Sequence, residues 1–96
     1  MARGYSIHPS IITREEEEGT LLFNKDTDDI KLLNQVGFLI WKHCDGAHTI
    51  DQIVETLAIQ YPEVPMDTLR SDVKSFLEIL LSRKLLVPAE VRIEND

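Results

Sequence analysis

Three groups of side chains in this 96-residue sequence have types and spacings that invite a chemical reading. His43, Cys44, Asp45 and His48 form the one cluster resembling metal ligands. Zinc sites usually take four ligands at spacings such as C-x2-C or H-x3-H, whereas this lone thiol occupies an apolar helix position suited to a small hydrophobe. No metal is expected there. Cys44 as a nucleophile needs a neighbouring base in an electropositive setting. His43 adjoins it in sequence, but successive side chains on a helix diverge by about 100°. Glu15 to Glu18 are consecutive loop carboxylates, without the fixed geometry or apolar wall that raises a pKa for general acid work. The sequence also lacks a G-x-G-x-x-G, a P-loop and an H-E-x-x-H. No catalytic residue and no cofactor follow, and the chain reads as a non-enzyme.

A different pattern lies further along. Leu69, Val73, Phe76 and Leu80 are the core stripe of a helix, and beside it run Arg70, Lys74, Leu77 and Leu81 at i, i+4, i+7, i+11 spacing. That second row has an apolar lower half with two cations above it. Its plain reading is a pair of cations snorkelling at the edge of a packed helix, and its functional reading is the wall of a groove. Trp41 reads as core.

The elements that would position these residues fall into two halves. Ile7 to Arg14, rich in β-branched residues, reads as a first strand with Pro9 at its edge or start. Glu15 to Gly19 is a loop, Thr20 to Asn24 a second strand, Asn24 to Asp28 a turn, and Asp29 to Leu33 a third strand. Asn34 is the expected N-cap of a helix from Gln35 to about Cys44 whose apolar residues go nearly all the way round. Asp45-Gly46 ends it. Thr49-Ile50-Asp51-Gln52 is a capping-box pattern opening an amphipathic helix that Pro62 stops. A third helix starts near Asp67 and is expected to run to about Arg83 or Leu86. Residues 1–6 read as an N-terminal extension, 7–87 as the folded domain and 88–96 as a polar tail. Three strands followed by three helices is an α+β arrangement with the helices on one side of a small antiparallel sheet.

Composition limits the partners. Ten Lys and Arg against 17 Asp and Glu leave a net charge of −7, which disfavours nucleic acid and anionic membranes. No apolar run approaches the roughly 20 residues of a membrane span. The start of the chain lacks the apolar core of a secretory signal, and one cysteine cannot build a disulfide framework, so a cytoplasmic protein is expected.

From His8-Pro9 to Leu86 the sequence resembles the PqqD family, small peptide chaperones known as RiPP recognition elements. The resemblance rests on Arg14-Glu15-Glu16 before Gly19, Leu21-Leu22-Phe23-Asn24 with Asp26-Thr27, and Leu33-Asn34-x-x-Gly37-x-x-Ile40-Trp41. Asp45-Gly46, Thr49-Ile50-x-x-Ile53-Val54-x-x-Leu57 and Asp72-Val73-x-x-Phe76-Leu77-x-x-Leu80 follow in order. It implies a winged helix-turn-helix-like fold that binds the leader segment of a ribosomally made precursor and presents it to a modifying enzyme, often a radical SAM protein. The leader would add as an antiparallel strand between the third strand and the third helix. Strand addition takes affinity from main-chain hydrogen bonds and specificity from side-chain pockets. The expected peptide-binding residues are therefore Asp29, Ile30, Lys31, Leu32 and Leu33 on the strand and Leu69, Arg70, Val73, Lys74, Leu77 and Leu81 on the helix. The rivals are a winged-helix DNA-binding regulator and a self-associating subunit. The expected state is a monomer or a weak, domain-swapped dimer. The sequence departs from the family where glycine is usual, at Asp28 and near Lys84, so the end of the third helix is expected to extend.

Overall fold

The computed structural model of the protein describes residues 2–91, and the side chains of residues 4–89. The run expected as one strand from Ile7 to Arg14 breaks at His8–Ser10. Ser10 N–H donates to His8 Nδ1 at 3.1 Å and Ile11 N–H to the His8 carbonyl at 3.1 Å, so the chain turns around Pro9. Strand β1 (Ala2–Ile7) enters this turn and β2 (Ile11–Glu16) leaves it, each into a different sheet.

The strands β2, β3 (Gly19–Asn24) and β4 (Ile30–Leu33) form a three-stranded antiparallel sheet in the order β2-β3-β4. Along β3, Thr20, Leu22 and Asn24 turn inward and are buried. Gly19 is required at the β2–β3 turn, because its φ is 147° and a Cβ there would run into the Leu33 carbonyl.

Three helices follow, α1 (Gln35–Lys42), α2 (Ile50–Gln60) and α3 (Met66–Ser82). Asn34 caps α1 by accepting from Gly37 N–H at 2.8 Å. Thr49 and Gln52 close the expected capping box on α2, at 3.1 and 2.8 Å. The first helix stops at Lys42, two residues short of Cys44, which is buried just beyond it. Helix α3 ends at Ser82 with Arg83 as its C-cap, at the shorter of the two expected ends and not at Leu86. Lys84 takes a φ of 59°, Lys84 N–H donates to Leu81 O at 3.1 Å and Leu85 N–H to Leu80 O at 2.9 Å, which is a Schellman closure made without glycine. Continued helix would splay Leu85 and Leu86 about 100° apart. The turn instead lets both reach the core, where they are 0% and 1% exposed.

A second sheet goes beyond the sequence reading. Strands β5 (Asp45–Thr49) and β6 (Leu86–Val91) flank β1 in the order β5-β1-β6, all antiparallel. Pairing of β1 with β6 runs unbroken from Ala2↔Val91 to Ile7↔Leu86. The expected extension at 1–6 is thus, from residue 2, the central strand of a sheet, and the expected tail at 88–96 supplies a strand as far as Val91. Met1 and residues 92–96 lie outside the described residues. Neither Ala-Arg-Gly-Tyr-Ser-Ile nor Asp-Gly-Ala-His-Thr is rich in strand formers, and both become strands because each is a backbone partner for the other. The core lies among the helices and both sheets, with Leu22, Trp41, Ile53, Leu57, Leu77 and Leu85 at most 2% exposed.

Candidate functional site

Among the described residues, strand β4 has a neighbour on one side only. A tight turn delivers it. Asn24 Oδ1 accepts from Asp26 N–H at 2.8 Å and Thr27 N–H at 3.3 Å, Asp28 sits in the left-handed region at φ 59°, and Asn24 N–H donates to Asp29 O at 2.9 Å. The aspartate at position 28 therefore takes the left-handed conformation at the turn position where the resemblance implies a glycine. Because Asn24 bonds Asp29, the in-register pairs Leu22↔Lys31 and Thr20↔Leu33 are the hydrogen-bonded ones. The main-chain groups of Lys31 and Leu33 are thus turned toward β3. Those of Ile30 and Leu32 face the open edge. The side chains alternate on the other axis: Leu33 is buried and Lys31 half-buried, while Ile30 and Leu32 are 55% and 48% exposed on the outer face.

The C-terminus of α3 closes one end of this edge. Arg83 Nε and Nη2 fork onto Asp29 Oδ2 and Oδ1 at 2.7 and 2.6 Å, and Nη2 also donates to the Ile30 carbonyl at 3.1 Å. This hydrogen-bonded guanidinium holds the Asp29 carboxyl below its ordinary pKa, and the same bond raises Arg83. At the other end of β4, Asn34, Val36, Gly37, Ile40, Asp72 and Phe76 line an apolar cleft of about 210 Å³. Gly37 keeps it open. A Cβ there would stand 3.2 Å from the Phe76 ring and 3.3 Å from Asn34 Oδ1.

The α3 row that meets β4 and α1 is therefore Asp72, Phe76 and Arg83, with exposed Ile79 between them. The row expected from the sequence lies on the opposite flank of the helix. Arg70 Nε is 3.4 Å from Asp51 Oδ1 at the start of α2, and Lys74 and Glu78 line a separate cavity with Tyr5 and Ile50. Leu69, Val73 and Leu77 are buried in the core, and Leu81 is packed against it. Lys31 contributes no free main-chain group to the edge. Of the expected residues, Asp29, Ile30, Lys31, Leu32 and Leu33 are brought to the groove, and those of α3 are not. The sequence reading places Phe76 in the core stripe and Leu77 on the outer row, whereas the structure buries Leu77 and leaves Phe76 half-buried, in a row with Asp72, Ile79 and Arg83 at the same i, i+4, i+7, i+11 spacing. Each row lies beside the buried stripe of Leu69, Val73, Leu77 and Leu80, and periodicity alone does not say which flank of it meets the strand.

The other candidates are spoken for by local bonds. His43 Nδ1–H donates to Leu39 O at 2.7 Å, and His48 Nδ1 is 2.9 Å from Asp45 Oδ1. Burial, with Asp45 adding to it, pushes the Cys44 thiol up to about 12, the reverse of what a nucleophile needs. Among the described residues no three His, Cys, Asp or Glu side chains are grouped to hold a metal ion, and no helix is long and apolar enough to cross a membrane. Glu15 to Glu18 line an open, shallow cavity with Gln35 and Phe38.

Solved structures share this architecture. The chain described as "TbiB1 in Complex with the TbiA(beta) Leader Peptide" superposes with a TM-score of 0.76 at 23% identity, over 84% of this chain and 93% of that one. "Lasso peptide synthetase B1 complexed with the leader peptide" gives 0.79 at 18% identity, over 86% and 96%. The heterocyclase TruD gives 0.63 at 22% identity, and there the match takes in 96% of this chain but 12% of that one. At these identities the likeness is one of fold. No curated protein sequence matches the chain significantly. The family model described as "Coenzyme PQQ synthesis protein D (PqqD)" matches residues 19–86, which takes in β3, β4, all three helices and Arg83, and the chain accordingly belongs to the PqqD family.

Proposed function

We propose that the protein is a non-catalytic recognition element, which binds the leader segment of a ribosomally synthesised precursor peptide as an added strand and presents it to a modifying enzyme. The observation that carries this reading is the open edge of β4, its Ile30 and Leu32 main-chain groups directed outward beside the α3 flank and the Phe76 cleft. Family membership supports it, as do two structural neighbours whose titles record bound leader peptides. The leader would run antiparallel to β4, its main chain bonding Leu32 and Ile30 and an apolar side chain entering the cleft beside Phe76. Main-chain bonds at about 1 kcal/mol each and one apolar anchor at about 2 kcal/mol must also offset the ordering of the segment, so micromolar binding is expected. The functional unit includes β1 and β6, since without them Leu85 and Leu86 lose the sheet that anchors the end of α3.

An amide-shift titration tests this, with the leader halves of short peptides encoded beside the gene and their core halves as controls. Saturable shifts at residues 29–33 and at Asp72, Phe76 and Arg83 for the leader alone are expected. Shifts confined to the Arg70–Lys74 flank, or produced by a DNA duplex instead, would overturn the reading.

A further inference from the structure

The open edge of β4 carries four main-chain groups, the N–H and C=O of Ile30 and of Leu32. Two of them, the N–H and C=O of Leu32, face outward without a protein partner among the described residues, while the Ile30 N–H also points to the Asp29 carboxyl beside it. The fourth, the Ile30 carbonyl, accepts from Arg83 Nη2 at 3.1 Å. Arg83 is held there from three directions. Its Nε and Nη2 are forked onto Asp29. Its own N–H caps α3 by donating to Ile79 O at 3.1 Å. The next residue, Lys84, is tied to the hairpin through its carbonyl, which accepts from Asn24 Nδ2 at 2.9 Å. An arginine fork on a carboxylate is a directional, charge-assisted contact, and an incoming peptide amide would be a neutral donor competing for the same oxygen.

We propose that Arg83 is an end stop for the added strand, an inference that rests on the strand-addition reading above. In an antiparallel ladder one peptide residue exchanges both main-chain bonds with Leu32, and the residue two positions later faces Ile30. That second residue accepts from Ile30 N–H, but its own N–H meets an acceptor already taken. The ladder therefore closes at Ile30 with three bonds rather than four. Beyond Ile30 the next main chain, that of Asp29, is bonded to Asn24, so Arg83 marks the end of the edge at which the added strand stops pairing. The residue that faces Ile30 needs no amide proton.

The probe is the tightest decapeptide selected on the full chain from a random display library, resynthesised with single N-methylated amides, its register assigned from cross-strand nuclear Overhauser effects. Methylating the amide opposite Leu32 is expected to weaken binding about tenfold, the size of one main-chain hydrogen bond. Methylating the amide opposite Ile30 is expected to change the Kd less than about twofold in the wild type and about tenfold in Arg83→Met, where the carbonyl is free. Equal costs at both amides in the wild type would mean that the peptide displaces Arg83, which overturns the stop and leaves strand addition standing. No cost at any amide, or no selected peptide on β4, overturns strand addition and the stop together. The wild-type series decides the matter even where Arg83→Met proves unstable.

Discussion

Asn24 Nδ2 lies 2.9 Å from the carbonyl oxygen of Lys84, sixty positions later in the chain, and so joins the β3–β4 hairpin to the end of α3. The Asn24 side chain is fully buried, and its Oδ1 also holds the turn at Asp26 and Thr27. One amide thus sets both walls of the groove. Asn24→Ala leaves the Lys84 carbonyl and the turn amides without a partner, and should cost about 2–3 kcal/mol of stability by urea denaturation. Asn24→Asp keeps the acceptor and loses the donor, so it should destabilise while preserving the turn.

Lys84 shows the opposite situation. Its φ of 59° is a left-handed conformation that disfavours any side chain with a Cβ. Lys84→Gly relieves that strain and should stabilise the protein by about 1 kcal/mol, read as a rise in Tm. A fall in Tm would show that the lysine side chain has a contact of its own.

The two flanks of α3 can be told apart by binding. Phe76→Ala should weaken the leader by about tenfold, the loss of part of one apolar anchor. Arg70→Ala and Lys74→Ala, on the far flank, should change the affinity less than about twofold, the scale of an exposed charge. Circular dichroism of each variant separates loss of fold from loss of binding.

Asp29 makes the groove sensitive to acid. Its carboxyl titrates below its ordinary value of 3.8 because Arg83 bonds the ionised form. A depressed folded pKa contributes stability that is present above the unfolded value and is lost as the pH falls through the folded one. Wild-type stability, read by urea denaturation at each pH, should therefore drop more steeply below pH 4 than that of Asp29→Asn. Identical slopes would show that the pair adds nothing.

Cys44 makes the opposite linkage. Its thiol is raised from 9.0 to about 12, chiefly by burial. A raised pKa contributes stability that is complete below the unfolded value and is lost as the pH climbs through the folded one, so the fold should weaken progressively above pH 9. At pH 8 alkylation by iodoacetamide should be at least 100-fold slower than in urea. Rapid labelling of the native protein would contradict the burial of this side chain.

Local physical chemistry was legible in the sequence by itself. Asn34 and the Thr49–Gln52 box set the starts of two helices because a cap acts within three residues. The hairpin through Asn24–Asp28 follows from turn chemistry, and the three-stranded sheet, the three helices and the resemblance to the PqqD family were all readable from local pattern. What needed the tertiary structure is whatever depends on a partner distant in the chain. Strand β1 exists because β5 and β6 lie on either side of it, although none of the three has a strong strand pattern. Helix α3 stops at Ser82 because Leu85 and Leu86 must both be buried. Asp72 and Phe76 meet Asn34 and α1, and Arg83 meets Asp29 and Ile30, whereas Arg70 and Lys74 lie on the far flank, because a helix with one apolar stripe has two equivalent flanks and only packing chooses between them. The same holds for the edge of β4, where the bond from Asn24 to Asp29 leaves Ile30 and Leu32, not Lys31, with main-chain groups to offer.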